Sequence, residues 1–509
     1  MRPHPLPVLL LCAALCAQPA LAGAAPPAPP APLAPEQQAA HVLNRLAFGP
    51  RPGDVERVTR MGVGRWIDEQ LQPEAIALPA ALAARLDGLG TVTRSAGASL
   101  EEYLALRRQV RDEDEGARQR RRERDARVAR EAAEARLLRA LESPRQLEEV
   151  MVDFWYNHFN VFAGKGIDRA LVTSYENEAI RPHALGSFRD LLGATAKHPA
   201  MLFYLDNAVS SAPDPNPKAK RKGGLNENYA RELMELHTLG VDGGYTQQDV
   251  TELARMLTGW TFDQRRLAAG GEGFRFDPKR HDQGSKIWLG QAIAPDGQRE
   301  GERALDVLAL HPTTARHVSR QLAQYFVSDD PPQALVERMT ATWRASGGDI
   351  RAVLRTLFAS PEFMSTEAAG AKFKTPYQFV LSALRASGVA VANVGPLTNT
   401  MSQLGMPLYG CQTPDGYKNT QEAWLNPDAL TRRIAFATAL AGGRLPLAAF
   451  QPATQPATQS APAPLPLDPA ALQAALAGSL SPRTLGIVSQ GPARLRAAML
   501  LGSPDFMQR

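Results

Sequence analysis

Apolar side chains recur at three- and four-residue spacing along most of the chain, the period of an amphipathic helix rather than of a strand. The clearest run is Leu147, Met151, Phe154, His158 and Phe162, widened by Val150, Trp155, Phe159 and Val161. Only Asp153, Tyr156, Asn157 and Asn160 share the other side, so the spacing predicts a helix buried around most of its circumference. Three short helices are expected before it, in EQQAAHVLNRLAFG, GDVERVTRMG and GRWIDEQL, each bounded by Gly or Pro. Others follow in ALGSFRDLLGATAKHP, NENYARELMELHTLG and TQQDVTELARMLTGW, the last opening with Thr246 and Asp249 at capping-box spacing. Helical pattern returns from Glu302 to about Leu440, with LAQYFVSDDPPQAL and IRAVLRTLFASPEF as members. The expected fold class is mainly α: one large multi-helix domain over residues 36–445, with a small Gly-rich β-hairpin insertion within 262–300.

Several segments break that pattern. Residues 1–22 carry Arg2, an apolar stretch from Leu6 to Ala17, and Ala20-Leu21-Ala22, the plan of a cleaved secretory signal. Export to the periplasm or cell surface is therefore expected, with no integral membrane span in the mature chain. Residues 23–35 read as a Pro/Ala linker, and 446–468, with its doubled QPAT, as a disordered Pro/Ala/Gln linker. Residues 210–224 form a polar loop. A C-terminal helical segment is expected over 469–509; its LLGSPDFM echoes LFASPEFM at 357–364. In both, Ser before Pro and an acid is helix-start chemistry. Residues 101–142 hold 12 Arg and 11 acidic residues, with no large apolar side chain between Arg111 and Arg127, and predict a projecting, solvated helix.

Composition narrows the function classes. Hydrophobic residues make up 44% and charged residues 21%, enough for a substantial core. A formal charge of +5 over 509 residues, with the charged segment itself nearly neutral, argues against a nucleic-acid partner. Cleavage after Ala22 removes Cys12 and Cys16 and leaves Cys411 alone, so no internal disulfide and no cysteine-based zinc or iron–sulfur site is expected. GxxxxGK[ST], HExxH, GxSxG and a strand-borne GxGxxG are all missing. No cofactor is expected.

Taken together and in order, HVLNRLAFGP, MVDFWYNHFNVF, ALGSFRDLL, HPAMLFYLDN, GLNENYARELMELHTLGVDGGYTQ, ARMLTGW, GSKIWLG, HPTTARHVSRQLAQYFVSDDPP, KFKTPYQF, PDGY and WLNP form a recognisable set. The chain resembles the bacterial family catalogued as domain of unknown function 1800, over essentially residues 36–445 and the terminal SPDF segment. The resemblance implies an exported bacterial protein, with an exported sulfatase-like protein encoded nearby as the implied partner. It carries no catalytic roles onto particular residues.

The densest chemistry lies in residues 226–237. On a helix, Leu225, Tyr229, Leu233 and Leu236 make a core face, Glu227, Arg231 and Glu235 line another at four-residue intervals, and Asn228 and Glu232 form a neighbouring pair. Carboxylates flanking a guanidinium suit acid–base work or a polar ligand; the simpler reading is an ion-pair ladder, with His237 complementing the helix C-terminus. A di-iron reading needs Glu-x-x-His, whereas Glu235 and His237 are two apart, so no metal site is expected. His158 reads as a core histidine, and the neighbouring Asn157 needs partners on so apolar a helix. Asp206 and Asn207 cap a turn or face a cleft; His281-Asp282 stands in the Gly-rich region, where loops hold functional groups.

Two functions stay open on these residues. One is an extracytoplasmic binding or assembly protein acting with a secreted partner. The other is a hydrolase-like enzyme using Glu227, Arg231, Glu232 and Glu235 with Asn157, His158, Asp206 or His281. Convergence of these groups in one open cavity favours the second, and pairing within the core the first.

Overall fold

The computed structural model describes residues 33–111, 115–212, 224–448 and 465–509. The signal segment, nearly all of the 23–35 linker, residues 213–223 of the polar loop and 449–464 of the QPAT linker lie outside the described residues. The architecture is mainly helical, with about 24 helices and two small antiparallel strand pairs among the described residues. No helix among them is long and apolar enough to cross a membrane.

The helix Gln146–His158 runs through the middle of the body. Every residue from Glu149 to Tyr156 is buried, as the thick apolar stripe requires, and Trp155 donates its indole N–H to the Ala184 carbonyl at 2.9 Å. Burial of the indole body with its one polar atom bonded is the arrangement that lets Trp serve as a core anchor. The helix Gln247–Met256 opens on the expected capping box: Thr246 accepts from Asp249 N, and Asp249 accepts from Thr246 N at 2.8 Å.

The Gly-rich insertion makes two strand pairs rather than one hairpin: Trp260–Thr261 with Arg275–Phe276, and Lys286–Trp288 with Gln291–Ile293. The second pair closes on Leu289 and Gly290, both at positive φ, the two-residue turn whose twist matches a hairpin. Asp249 accepts from Leu289 N at 2.7 Å and holds the strained leucine.

Two expectations need correction. LAQYFVSDDPPQAL is not one helix: Pro312–Phe326 ends before Asp329, and Gln333–Ser346 begins after Pro331-Pro332, which cannot continue an α-helical ladder. Nor is 101–142 a single projecting helix. Helices Ala96–Arg111 and Glu115–Glu142 pack on each other, and the second also packs on helices Asp168–Ser174 and Pro376–Ser387. Ala117 and Arg124 are buried in that pair; Arg124 Nη2 reaches the Ser99 carbonyl at 2.8 Å, and Arg127 pairs with Glu102 at 3.1 Å. From Ala132 to Leu141 the helix is mostly core. Alanine lets helices approach closely, and arginine buries its aliphatic stem while its head finds oxygens.

The C-terminal segment returns onto the core. Helix Arg496–Leu501 packs against Pro427–Ala441, and the strand-like run Lys372–Lys374 exchanges backbone bonds with Met507 and Arg509. The two Ser-Pro junctions are used alike: Ser360 accepts from Phe363 N at 3.2 Å and Ser503 from Phe506 N at 3.1 Å, each seating a buried phenylalanine.

Candidate functional site

The central helix ends at a cleft of about 320 Å³. Five parts of the chain wall it, one of them the start of helix Pro376–Ser387 with Thr375 and Gln378. Helix Gln146–His158 supplies Asp153, Asn157 and His158; the end of helix Asn228–Glu235 supplies Glu235. Helix Pro312–Phe326 supplies His317, Gln321 and Tyr325, and the loop over 406–420 supplies Asp415, Tyr417 and Lys418.

Asn157 clamps the loop. Its Oδ1 accepts from Tyr417 N at 2.7 Å and its Nδ2 donates to Tyr417 O at 2.8 Å, so one amide mimics a strand partner. Gly416, at φ +67°, leaves no room for a side chain there: a Cβ would stand 2.3 Å from the Asn157 carbonyl. Gly240, at φ +85°, does the same for His317, whose Nδ1 would lie 2.7 Å from a Cβ. Under the floor, Arg136 binds Asp153 at 2.6 Å and Glu176 at 3.3 Å, with Tyr156, Tyr377 and Tyr409 around its guanidinium. Glu176 sits in a π-helical turn, Tyr175–Ile180, a distortion that aims this carboxylate inward. Tyr409 and Arg181 complete its bonding.

Burial sets the protonation states in the cleft. It pushes the His158 imidazole down to about 3, helped by the nearby His317, and pushes His317 down as well. Both rings are neutral around pH 7. His158 Nε2 meets the His237 carbonyl at 3.1 Å, so it carries the ring hydrogen. Burial raises Asp153 against the pull of Arg136. Glu232 is raised, first by burial and then by Glu235. Glu235 itself is half-buried and makes no hydrogen bond or ion pair with any described residue. His317 Nε2 is likewise buried without a partner, and Gln321 Oε1 has none beyond its approach to the His158 ring. The cleft thus combines a free carboxylate, neutral imidazoles and an unfilled amide oxygen, all acceptors.

Of the residues singled out from sequence, the structure brings Asn157, His158 and Glu235 together and disperses the rest. Glu227 and Arg231 form an outer ladder at 3.3 Å that continues to Gln247 and Thr251. His237 is buried beyond the helix end, its carbonyl serving His158, instead of complementing the helix terminus. Asn228 reaches the Leu205 carbonyl. Asp206, at left-handed φ, pairs with Lys165 at 2.9 Å, and Asn207 is buried against the Leu257 and Trp260 carbonyls. His281 and Asp282 belong to a separate buried knot. The two His281 nitrogens meet Thr258 O at 2.8 Å and Glu300 at 3.0 Å, Lys286 meets Glu300 at 2.6 Å, and Arg255 grips Asp282 with two bonds. No group of three metal-ligating side chains occurs among the described residues.

His317, Gln321 and Asp415 were missed. The available signal was His317 and Gln321 four apart on one helix face within HPTTARHVSRQLAQYF, and the Gly of PDGY beside an acid.

The family model described as "Protein of unknown function (DUF1800)" matches residues 41–508, and the chain belongs to that family. No curated protein and no solved structure matches it.

Proposed function

We propose that this member of the DUF1800 family is an exported protein that binds a small polyol or sugar in the cleft between His158, Glu235, His317 and the 406–420 loop. One observation carries the reading: Glu235 and His317 Nε2 stand without partners in one cavity, and Gln321 Oε1 has none beyond the His158 ring. A buried acceptor left empty costs about 1–3 kcal/mol, so such atoms gathered in an open site are matched by a ligand's donors. Hydroxyl hydrogens fit them, and the half-buried Tyr417 ring supplies flat apolar surface for a sugar face. Action outside the cytoplasm, and with the exported sulfatase-like partner implied by the resemblance, forms part of the same proposal; it rests on the 1–22 signal pattern and on the family motifs.

Acid–base chemistry is the second reading. It is favoured by the free Glu235 carboxylate sharing a cavity with two neutral imidazoles, the pairing a hydrolase-like enzyme uses. Thermal-shift titration of the processed chain with mono- and disaccharides, and with polyamines as a charge control, tests both. A saccharide that raises the melting temperature of the wild type but not of Gln321→Leu supports the binding reading, and its conversion by the wild type supports the enzyme. Failure of every saccharide, or an equal shift in the variant, contradicts the cleft assignment.

A further inference from the structure

Away from the cleft, cationic side chains crowd one part of the core. Arg45, Lys372 and Arg433 are fully buried, and Lys374 and Arg509 nearly so. The carboxylate bonded within this group is Asp329, held by Lys372. The other cations make do with neutral partners: Arg45 with the Val327 and Ala368 carbonyls, Arg433 with Lys374 O at 2.7 Å and the Phe373 and Phe379 faces, Lys374 with Ser382 Oγ and Phe506 O at 2.7 Å each and the Phe506 ring. Nε and Nη1 of Arg45 have no partner. Concentrated positive charge with this little compensation is costly inside a protein.

A cavity of about 450 Å³ opens beside the group, between helix Pro35–Arg45 and the turn around Ser479. His41 and Arg509 line it, each 5% exposed, and His41 Nε2 and Arg509 Nε are both buried without a partner. Burial pushes the His41 imidazole down to about 3, so the ring is neutral and one of its nitrogens carries a lone pair, which we assign to the unpartnered Nε2. Asn44 donates to Ser479 Oγ at 3.0 Å, which leaves the Ser479 hydroxyl hydrogen for the cavity. The one acid on this wall, Asp505, is engaged by Ser481 N at 2.7 Å. The site therefore offers donors from Arg509 and Ser479, a positive background from Arg45, and unpartnered acceptors at His41 Nε2 and Gln508 Oε1.

We propose that this cavity binds the hydrogenphosphate ion, with its bare oxygens accepting from Arg509 and Ser479 and its P–OH donating to His41 Nε2. Both polarities are needed. Sulfate, with no hydrogen to give, leaves His41 unpaired, the kind of mismatch by which polar sites reject near-isosteres. The inference is independent of the cleft. His41 and Arg45 come from HVLNRLAFGP and Arg509 stands three residues past the SPDF junction, and none of the three lines the cleft.

Calorimetric titration of the whole processed chain with inorganic phosphate at mildly alkaline pH, against sulfate at equal ionic strength, is the test. Phosphate is expected to bind at least about tenfold more tightly than sulfate, one hydrogen bond's worth of discrimination. Ser479→Asp, which sets a carboxylate on the exposed wall, should weaken phosphate about tenfold or more with the helical circular-dichroism signal intact. Glycerol 3-phosphate, a dianion without a P–OH hydrogen at that pH, is expected to bind as weakly as sulfate, and binding tighter than phosphate overturns the proposal. Absence of phosphate binding by folded protein, equal sulfate affinity, or full phosphate affinity in folded Ser479→Asp overturns the proposal.

Discussion

The buried knot around Glu300 and the cleft around His158 draw on the same residue types, yet their bonding differs. In the knot both His281 nitrogens, Lys286, Glu300, Asp282 and Arg255 answer one another within a single stretch of chain, 252–300. In the cleft, His158 is half satisfied, Glu235 and His317 Nε2 lack partners, and Gln321 Oε1 has none beyond the His158 ring. Folding can explain the first, because a closed network recovers the solvation its members lose. It does not explain the second, where acceptors are held in place by Gly240, Gly416 and Asn157 and then left unanswered. Residue type alone does not separate the two regions; what does is that every charged group of the knot has an ionic partner, whereas Glu235 in the cleft has none among the described residues.

The contrast is breakable at several points. Glu300→Ala strands Lys286 and His281 in the core and should cost about 3–5 kcal/mol of unfolding free energy in urea, the range for opening a buried ion pair. A loss below about 1 kcal/mol would show that the knot is not what ties the strand insertion to helix Gln298–Leu310.

Acid should act next. His158 and His41 both titrate near 3 in the fold, below the ordinary 6.5. The unfolded chain therefore takes up protons first as pH falls, so stability is whole above pH 6.5 and declines toward 3. Each ring contributes a slope of about 1.4 kcal/mol per pH unit within that window. Melting temperature should drop steadily on acidification, less steeply in His158→Gln, and a flat profile would contradict the buried neutral rings. Ser503→Ala, which removes a cap from the terminal junction, should cost about 1 kcal/mol by chemical denaturation, and Ser360→Ala a similar amount. Arg231→Ala in the exposed outer ladder should change stability by less than about 1 kcal/mol; a larger fall would move that ladder from surface to core.

Helices with strong apolar period were legible, as were the capping box at Thr246 and the Ser-Pro junctions, because their chemistry is local. The charged segment was not. Its composition reads as solvated, and only the partner helix Ala96–Arg111 and the oxygens of Ser99 and Glu102 show why Arg124 goes inside. Of the cleft, Asn157 and His158 were visible as polar interruptions in an apolar helix, and Glu235 as one of a charged series. That Glu235 leaves the series while Glu227 and Arg231 stay in it is decided by Gln247 and Thr251 on the next helix. His317 and Asp415 come from elements more than 70 residues downstream of Glu235, and no local spacing reports such a meeting. The buried cations are not legible either, for the same reason: they lie in four separate stretches of chain between Arg45 and Arg509.

Glu235→Gln reads the central contrast most directly, by urea denaturation beside the wild type. A carboxylate placed for a ligand and unpaired in the fold should be removable without loss, so the variant should match or exceed wild-type stability within about 0.5 kcal/mol. A fall of more than about 2 kcal/mol would mean that Glu235 holds the helices together, and the cleft would then be no more unfinished than the knot.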